Sequence, residues 1–483
     1  MTRIKFLTQE NIDEIHEASI EVLGNTGILI KNRAVCELLK NAGCELESSV
    51  VRIPSDIIDR CLKSVPRKFY LHNRAGSKKL AVGGDDVHYN PGSSALNIID
   101  RETGILRPAK TKDLTELVHL VDSLEFIRLQ STAVVANDAP VSISDLYRLY
   151  IILKNSPKPI VTGAFNQEGL LDMIRLLEAA VGGPKELASN PRAIFDCCPS
   201  SPLMWSEETS QNLVDCAKHG VPAAIVPAPQ IGANSPVTLS GTLIQSNAEI
   251  LSGVVISQTV SAGAPIVYGG AISAFDMKYA LTRTAGLEAQ MAACGAAEIG
   301  KHYGIPTHAY LGVSDAKAVD AQAGLESGLG IVLAALARIN IVSGPGMLAF
   351  ENGQSLEKLV VDNDLCGAAY RLIEGIEMDN GAIVSALIDS VGPAGHFLSQ
   401  KHTREHFRKE HFMPSDVIDR QTPESWQKSG SRDAYTRAHE IVEKILKEHQ
   451  PTPLPEAADA SLDEVLKSIA KRHGLSLSHI PTT

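Results

Sequence analysis

Ala223-Ala-Ile-Val-Pro227, then a helical pattern from Leu243 to Val260, then Pro265-Ile-Val-Tyr-Gly269 make one strand–helix–strand unit, and this unit decides the fold. Short apolar runs of the same kind recur on either side. Upstream lie Ser131–Ala136, Pro159–Gly163 and Ala193–Cys197; downstream lie Thr307–Leu311 and Ile339–Gly344, with a second long helical pattern at Leu287–His302. Repeats of about 30–40 residues that alternate strand and helix imply a parallel sheet. Seven such runs approach the eight of a (β/α)8 TIM-type barrel, with an open doubly wound sheet as the rival. The lack of a GxGxxG after the first strand weakens a dinucleotide-binding version of that rival.

Working outward, residues 8–65 carry helical spacing (Ile12, Ile15, Ala18, Val22), and residues 68–106 are extended with turns at Gly83-Gly84 and Pro91-Gly92. After about 400 the chain turns polar: Trp426–Lys447 suits a helix, Pro451–Pro455 a linker, and 456–474 another helix. The expected division is an N-terminal α+β region over 1–124, a barrel core over 125–400 and a helical C-terminal extension over 401–483.

The 483 residues carry a formal charge of -11, which disfavours nucleic acid and anionic membrane as partners. No apolar run is long enough for a membrane span and no signal core opens the chain, so a cytoplasmic protein is expected. Eight cysteines include no CxxC pair, and Cys197-Cys198 are adjacent, so reduced, mostly packed cysteines are expected.

A barrel places its site on the loops after its strands. Here those are small-residue loops at Asn234–Leu243, Gly269–Asp276, Gly312–Lys317 and Gly344–Gly353. For each loop alone, turn-making is the simpler account. Tyr268, Phe275, Tyr310 and Phe350 fall on or just beyond strand ends, with Glu288, Asp276 and Glu351 nearby. Ring faces and negative charge hold a quaternary ammonium, which has no hydrogen to donate; the same rings also suit barrel layers. His396 and His402, six residues apart, do not share a helical face, and no HExxH, GxSxG or Walker loop occurs, so neither a protein-bound zinc nor those chemistries are expected.

In order along the chain stand Ser201-Pro-Leu, Ser235-Pro-Val-Thr-Leu-Ser-Gly-Thr-Leu, Asn247-Ala-Glu-Ile-Leu-Ser-Gly, Tyr303-Gly-Ile-Pro, Ser314-Asp-Ala-Lys, Gln322-Ala-Gly-Leu-Glu and Val361-Asp-Asn-Asp. The set resembles the trimethylamine:corrinoid methyltransferase superfamily over nearly the whole chain. The resemblance implies a (β/α)8 barrel. Trimethylamine enzymes of that family carry pyrrolysine shortly before Ser-Asp-Ala-Lys, where this chain has Gly312; it therefore resembles the pyrrolysine-free branch, the betaine demethylases. Implied is methyl transfer from a small quaternary amine to Co(I) of a corrinoid held by a partner protein, with glycine betaine the first choice over proline betaine, carnitine or γ-butyrobetaine. No cofactor bound by the chain itself, no metal ligand and no catalytic side chain are assigned. Expected at the substrate are Tyr89, Tyr268, Phe275, Glu288, His308, Tyr310, Gly312 and Phe350. For a betaine carboxylate the candidates are His308, Arg283, Lys317 and the backbone amides of Gly344–Gly346. An open funnel capped by the corrinoid protein, and a homo-oligomer, complete the expectation. A folate-linked methyltransferase and a non-catalytic betaine-binding protein are the alternatives.

Overall fold

The computed structural model describes residues 2–165, 167–476, 478, 480 and 481. Its centre is built from strands β1 (His88–Asn90), β2 (Gln130–Ser131), β3 (Ile160–Gly163), β4 (Ala193–Cys197), β5 (Ala223–Ile225), β6 (Ile266–Tyr268), β7 (His308–Tyr310) and β8 (Ile341–Ser343). Each is followed by a helix: α1 (Thr111–Ser123), α2 (Ser144–Asn155), α3 (Gln167–Val181), α4 (Glu207–His219), α5 (Leu239–Val260), α6 (Leu287–His302), α7 (Ala321–Leu336) and α8 (Leu356–Glu374).

Strands β6-β5-β4-β3-β2 form a 5-stranded parallel sheet, and β7-β8-β1 a 3-stranded parallel one. The two sheets meet at both edges. A parallel bridge pairs Tyr268 with Thr307, just before β7. On the other side the Leu129 amide donates to the Tyr89 carbonyl at 3.2 Å, and Ala95 bridges Val134 in parallel. The chain is thus an α/β protein with a parallel centre, as the strand–helix rhythm implies. The strand His88–Asn90 lies inside the region expected to be a separate α+β part, yet its backbone pairs with β8.

Residue alternation along the strands sorts the interior. Leu129, Val161, Ile194, Ala224, Val226, Val267 and Ile341 form one buried cluster with Phe69, Leu71 and Val82 of the hairpin Lys68–His72/Lys79–Gly83. The hairpin packs on the apolar end of the strands, so polar residues collect at the other end. Helix α5 is apolar on nearly every side because both of its faces are covered: Gln9–Glu21 and Ser55–Ser64 pack on it from outside. In the C-terminal part, Ala434–Glu448 packs on α8 and α1, and Glu456–Arg472 on α3 and α2. Between them, Gly381–Val391 and Lys401–Glu410 bury no residue.

Candidate functional site

Two steps beyond the apolar layer, the inward positions become polar. Asp196 ends β4; the Tyr310 hydroxyl donates to its Oδ2 at 3.4 Å, while its Oδ1 has no hydrogen-bond partner among the described residues. Burial pushes the Asp196 carboxyl up to about 7. Glu351, beyond β8, is also pushed up to about 7, by burial first and by the charge of Asp315 second. Tyr310, Asp196 and Glu351 nonetheless keep some accessible surface. Tyr310 lies close to both acids, so the three form one partly solvated polar cluster at the strand ends, here called the cup.

Phe350 stands next to Glu351, with Lys317 Nζ 4.0 Å from its ring centroid and donating to the Asp315 carbonyl at 2.7 Å. Ala349, Phe350 and Glu351 have φ of 52°, 62° and 65°, three left-handed residues in a row. Each costs about 1–2 kcal/mol outside glycine. The turn is held by Ala349 N donating to Ala316 O at 2.8 Å. Strain kept at a strand-end turn that aims a ring and an acid is a mark of a working site.

Deeper in, Asn90 Nδ2 donates to Ser343 Oγ at 2.8 Å, and Ser343 Oγ lies 2.9 Å from His308 Nε2. With Asn90 donating, the serine proton goes to Nε2 and the imidazole keeps its proton on Nδ1, an atom with no partner among the described residues. Burial lowers His308 to about 3, so the ring is neutral at physiological pH. Its ring meets Tyr310 edge-on at 5.2 Å.

A polar frame fixes the loops around the cup. Lys358 and Asp362 form a fully buried pair at 2.5 Å; Lys358 Nζ also donates to Gly312 O at 3.2 Å, and Asp362 Oδ2 accepts Gly346 N at 2.7 Å. Glu326 accepts from Ser314 Oγ and Asp315 N at 2.6 and 2.8 Å, and Asp315 accepts from Thr284 Oγ1 at 2.6 Å. The loops after β6, β7 and β8 are therefore locked to one another.

Of the residues expected at the substrate, His308 and Tyr310 meet in the cup, and Phe350 stands beside Glu351 with its ring on Lys317. Tyr89 and Tyr268 face the helices instead: Tyr89 donates to Ile331 O at 3.0 Å, and Tyr268 to Asn247 Oδ1 at 2.9 Å. Strand alternation explains both, because each follows an inward residue by one. Phe275, Asp276, Arg283 and Glu288 sit at the hairpin Ser273–Asp276/Leu281–Arg283 and the start of α6, where Arg283 lies 3.7 Å from Asp276 and 3.9 Å from Glu288. This hairpin is a rim, joined to the cup through Thr284 and Asp315. The amides proposed as a carboxylate anchor are already engaged: Gly344 N donates to Asn90 O and Gly346 N to Asp362, while Pro345 has none. Asp196 was not among the expected residues, although a lone acid in the apolar run Ala193–Cys197 was a usable signal.

Gly312 is explained by packing. Its φ is +84°, and a Cβ there would lie 2.8 Å from Ile331 Cγ1 on α7. The position faces α7, away from the cup. Gly312→Leu is expected to lower stability by about 2–4 kcal/mol through strain and overpacking. A urea titration checks this; a midpoint equal to that of the unmodified protein would contradict it.

The joined parallel sheets and the strand-end cup define the class first: the chain shares the α/β architecture of a solved amine methyltransferase. Over 91% of this chain and 87% of that one it superposes on the Methanosarcina barkeri monomethylamine methyltransferase (MtmB), with a TM-score of 0.54 at 12% identity, which speaks for the fold alone. The family model for trimethylamine methyltransferase (MTTB) matches residues 1–474, and the chain belongs to that family. It is 28% identical to the trimethylamine methyltransferase MttB of Desulfitobacterium hafniense (strain DSM 10664 / DCB-2), over 98% of this chain and 95% of that one. It is equally 28% identical to the glycine betaine methyltransferase of D. hafniense (strain Y51), over 98% and 99%. The trimethylamine methyltransferase MttB of Methanosarcina thermophila is 32% identical over 93% and 94%. No helix among the described residues is long and apolar enough to cross a membrane.

Proposed function

We propose that this chain moves a methyl group from a small quaternary amine, glycine betaine first among them, to Co(I) of a corrinoid carried by a partner protein. The observation that carries this is the pair of acids, Asp196 and Glu351, each pushed up to about 7 by burial, gathered beside the ring of Tyr310, with Phe350 next to Glu351 in the chain. Such a cup gains most from a fixed positive charge that needs no hydrogen bond. Lys317, at the Phe350 ring, is the one remaining cationic candidate for a betaine carboxylate from the expected set, since His308 is neutral and Arg283 is paired on the rim. The joined sheets are read as the expected (β/α)8 barrel, with a core that starts at β1 and so earlier than residue 125. The family relationship supports methyl transfer from a methylated amine, and a glycine betaine methyltransferase stands among the relatives beside the trimethylamine enzymes.

The chemistry is one displacement. The Co(I) electron pair forms the Co–C bond, the C–N bond breaks, and its pair stays on nitrogen, giving methyl-Co(III) and a neutral tertiary amine. A quaternary nitrogen is already a competent leaving group and needs no covalent activation. The protein's part is orientation, exclusion of water and charge placement. The open strand-end cup faces the corrinoid protein, and a homo-oligomer fits the same reading.

Charge recognition is tested by calorimetric titration with glycine betaine and with 3,3-dimethylbutanoate, the isostere that keeps the carboxylate and replaces the cationic nitrogen by a neutral carbon. Binding of the betaine at least roughly 30-fold tighter is expected, about 2 kcal/mol for a desolvated charge contact. Equal affinities would overturn the assignment. The pH dependence has a definite sign. Below about 7 the two acids are protonated, and a cation must displace a proton to bind. Affinity is therefore expected to rise with pH through 7 and level off above it, falling roughly tenfold per unit on the acid side for each proton released. A flat profile from pH 5.5 to 8.5 would contradict the role of the acids.

A further inference from the structure

The segment after α8 carries two helices, Gly381–Val391 and Lys401–Glu410, that bury no side chain. Packing therefore contributes little to holding them, and polar links must do it. Two of these tie the stretch after α8 to the second helix: Glu377 to Lys409 at 2.5 Å, and Asp379 Oδ2 to His402 Nε2 at 3.3 Å. His402 has a companion one turn on. His406 is four residues later on the same helix face, its ring stacked on that of His402 with centroids 4.3 Å apart. One ligand atom from each of Asp379, His402 and His406 lies within 4.8 Å of the others.

We propose that Asp379, His402 and His406 bind a divalent first-row transition ion such as Zn(II). Two imidazoles at i and i+4 present nitrogen atoms to one point beside a helix, and a carboxylate from another segment completes a facial set of three. In a tetrahedral site with metal–ligand bonds of about 2.1 Å, ligand atoms stand about 3.4 Å apart. The Asp379–His402 pair is already at that separation, and small side-chain rotations bring in His406. Water takes the remaining position, since the residues lie at the surface. His396, the partner considered for His402 on the sequence, is six residues away and is not part of the set. A bound ion replaces a weak exposed contact by three coordinate bonds across residues 379–406. It fixes an arm that leaves Ile383, Ile388 and Leu398 exposed and is otherwise held by a few surface ion pairs.

The test uses the full chain, stripped with EDTA and returned to chelator-free buffer. Titration with ZnCl2 by calorimetry is expected to show one equivalent, and Co(II) to give the visible bands of a low-coordinate nitrogen–oxygen site. Asp379→Asn, His402→Gln and His406→Gln should each weaken binding by roughly tenfold or more, with His411→Gln unchanged. Because the altered residues lie on an arm that buries nothing, thermal midpoints without metal should match the parent, which separates lost binding from lost folding. Hydrogen exchange of residues 376–410 should slow on adding Zn(II) in the parent and not in His406→Gln. Absence of Zn(II) binding by the parent, or binding that survives the triple variant, overturns the site.

Discussion

Asp196→Asn is expected to lower kcat/KM for a quaternary amine by roughly 100-fold, nearly all of it in KM. The change removes one negative charge from a desolvated cup, and a buried charge contact of this kind contributes about 2–3 kcal/mol. The fold should be untouched, because Asp196 has one long bond, to Tyr310 at 3.4 Å, and one oxygen with no partner among the described residues. The split between constants follows from the chemistry. Positive charge on nitrogen fades as the methyl group leaves, so the carboxylate stabilises bound substrate more than the transition state. Losing it weakens binding without slowing the bound complex, and kcat should change by less than about threefold. Steady-state kinetics with purified corrinoid carrier measures both. A fall in kcat at unchanged KM would place Asp196 in the chemical step and contradict cation binding.

The second large effect is on stability. Lys358→Met should destabilise the protein by about 3–5 kcal/mol, because it strands the Asp362 carboxylate, whose proton affinity burial raises, with the Gly346 amide as its one other partner among the described residues. It also frees the Gly312 carbonyl, so the loops after β7 and β8 lose their shared anchor. The double variant Lys358→Met, Asp362→Leu removes both charges and should recover most of the loss, since an apolar pair of similar volume is often as stable as a buried ion pair. Chemical denaturation of the two variants decides it. A double variant no more stable than the single one would mean that the pair acts through loop geometry rather than through its charges.

The strand–helix rhythm was legible because buried parallel strands read as continuous apolar runs, such as Ala193–Cys197 and Pro265–Gly269. The strand His88–Asn90 was not, for the opposite reason. It is three residues long and polar, with Asn90 spent on Ser343 and His88 on the Ala81 carbonyl. Tyr310 and Phe350 were legible as strand-end rings, and the structure places them at the cup. Tyr89 and Tyr268 turn to the helices, because proximity to a strand end says nothing about which side a ring takes; a shift of one residue changes it. Gly312 was read from the resemblance as a pocket position, whereas its left-handed φ and the contact with Ile331 are tertiary facts that no spacing shows. Asp196 lay in plain view, but its elevated proton affinity arises only when the strands gather around it. The Val361-Asp-Asn-Asp motif gains a physical meaning: Asp362 is the loop anchor, Asn363 accepts the Phe126 amide at 3.0 Å, and Asp364 accepts from Ser415 Oγ at 2.7 Å.

The central claim is methyl transfer from a quaternary nitrogen, and the cobalt spectrum tests it most directly. The protein is mixed under strict reduction with a corrinoid carrier held as Co(I), and glycine betaine or trimethylamine is added separately. Conversion to methyl-Co(III) is expected with the betaine, with one dimethylglycine released per methyl transferred, and no conversion with trimethylamine. Conversion with trimethylamine and none with any betaine, using a carrier shown to accept methyl groups, would contradict it.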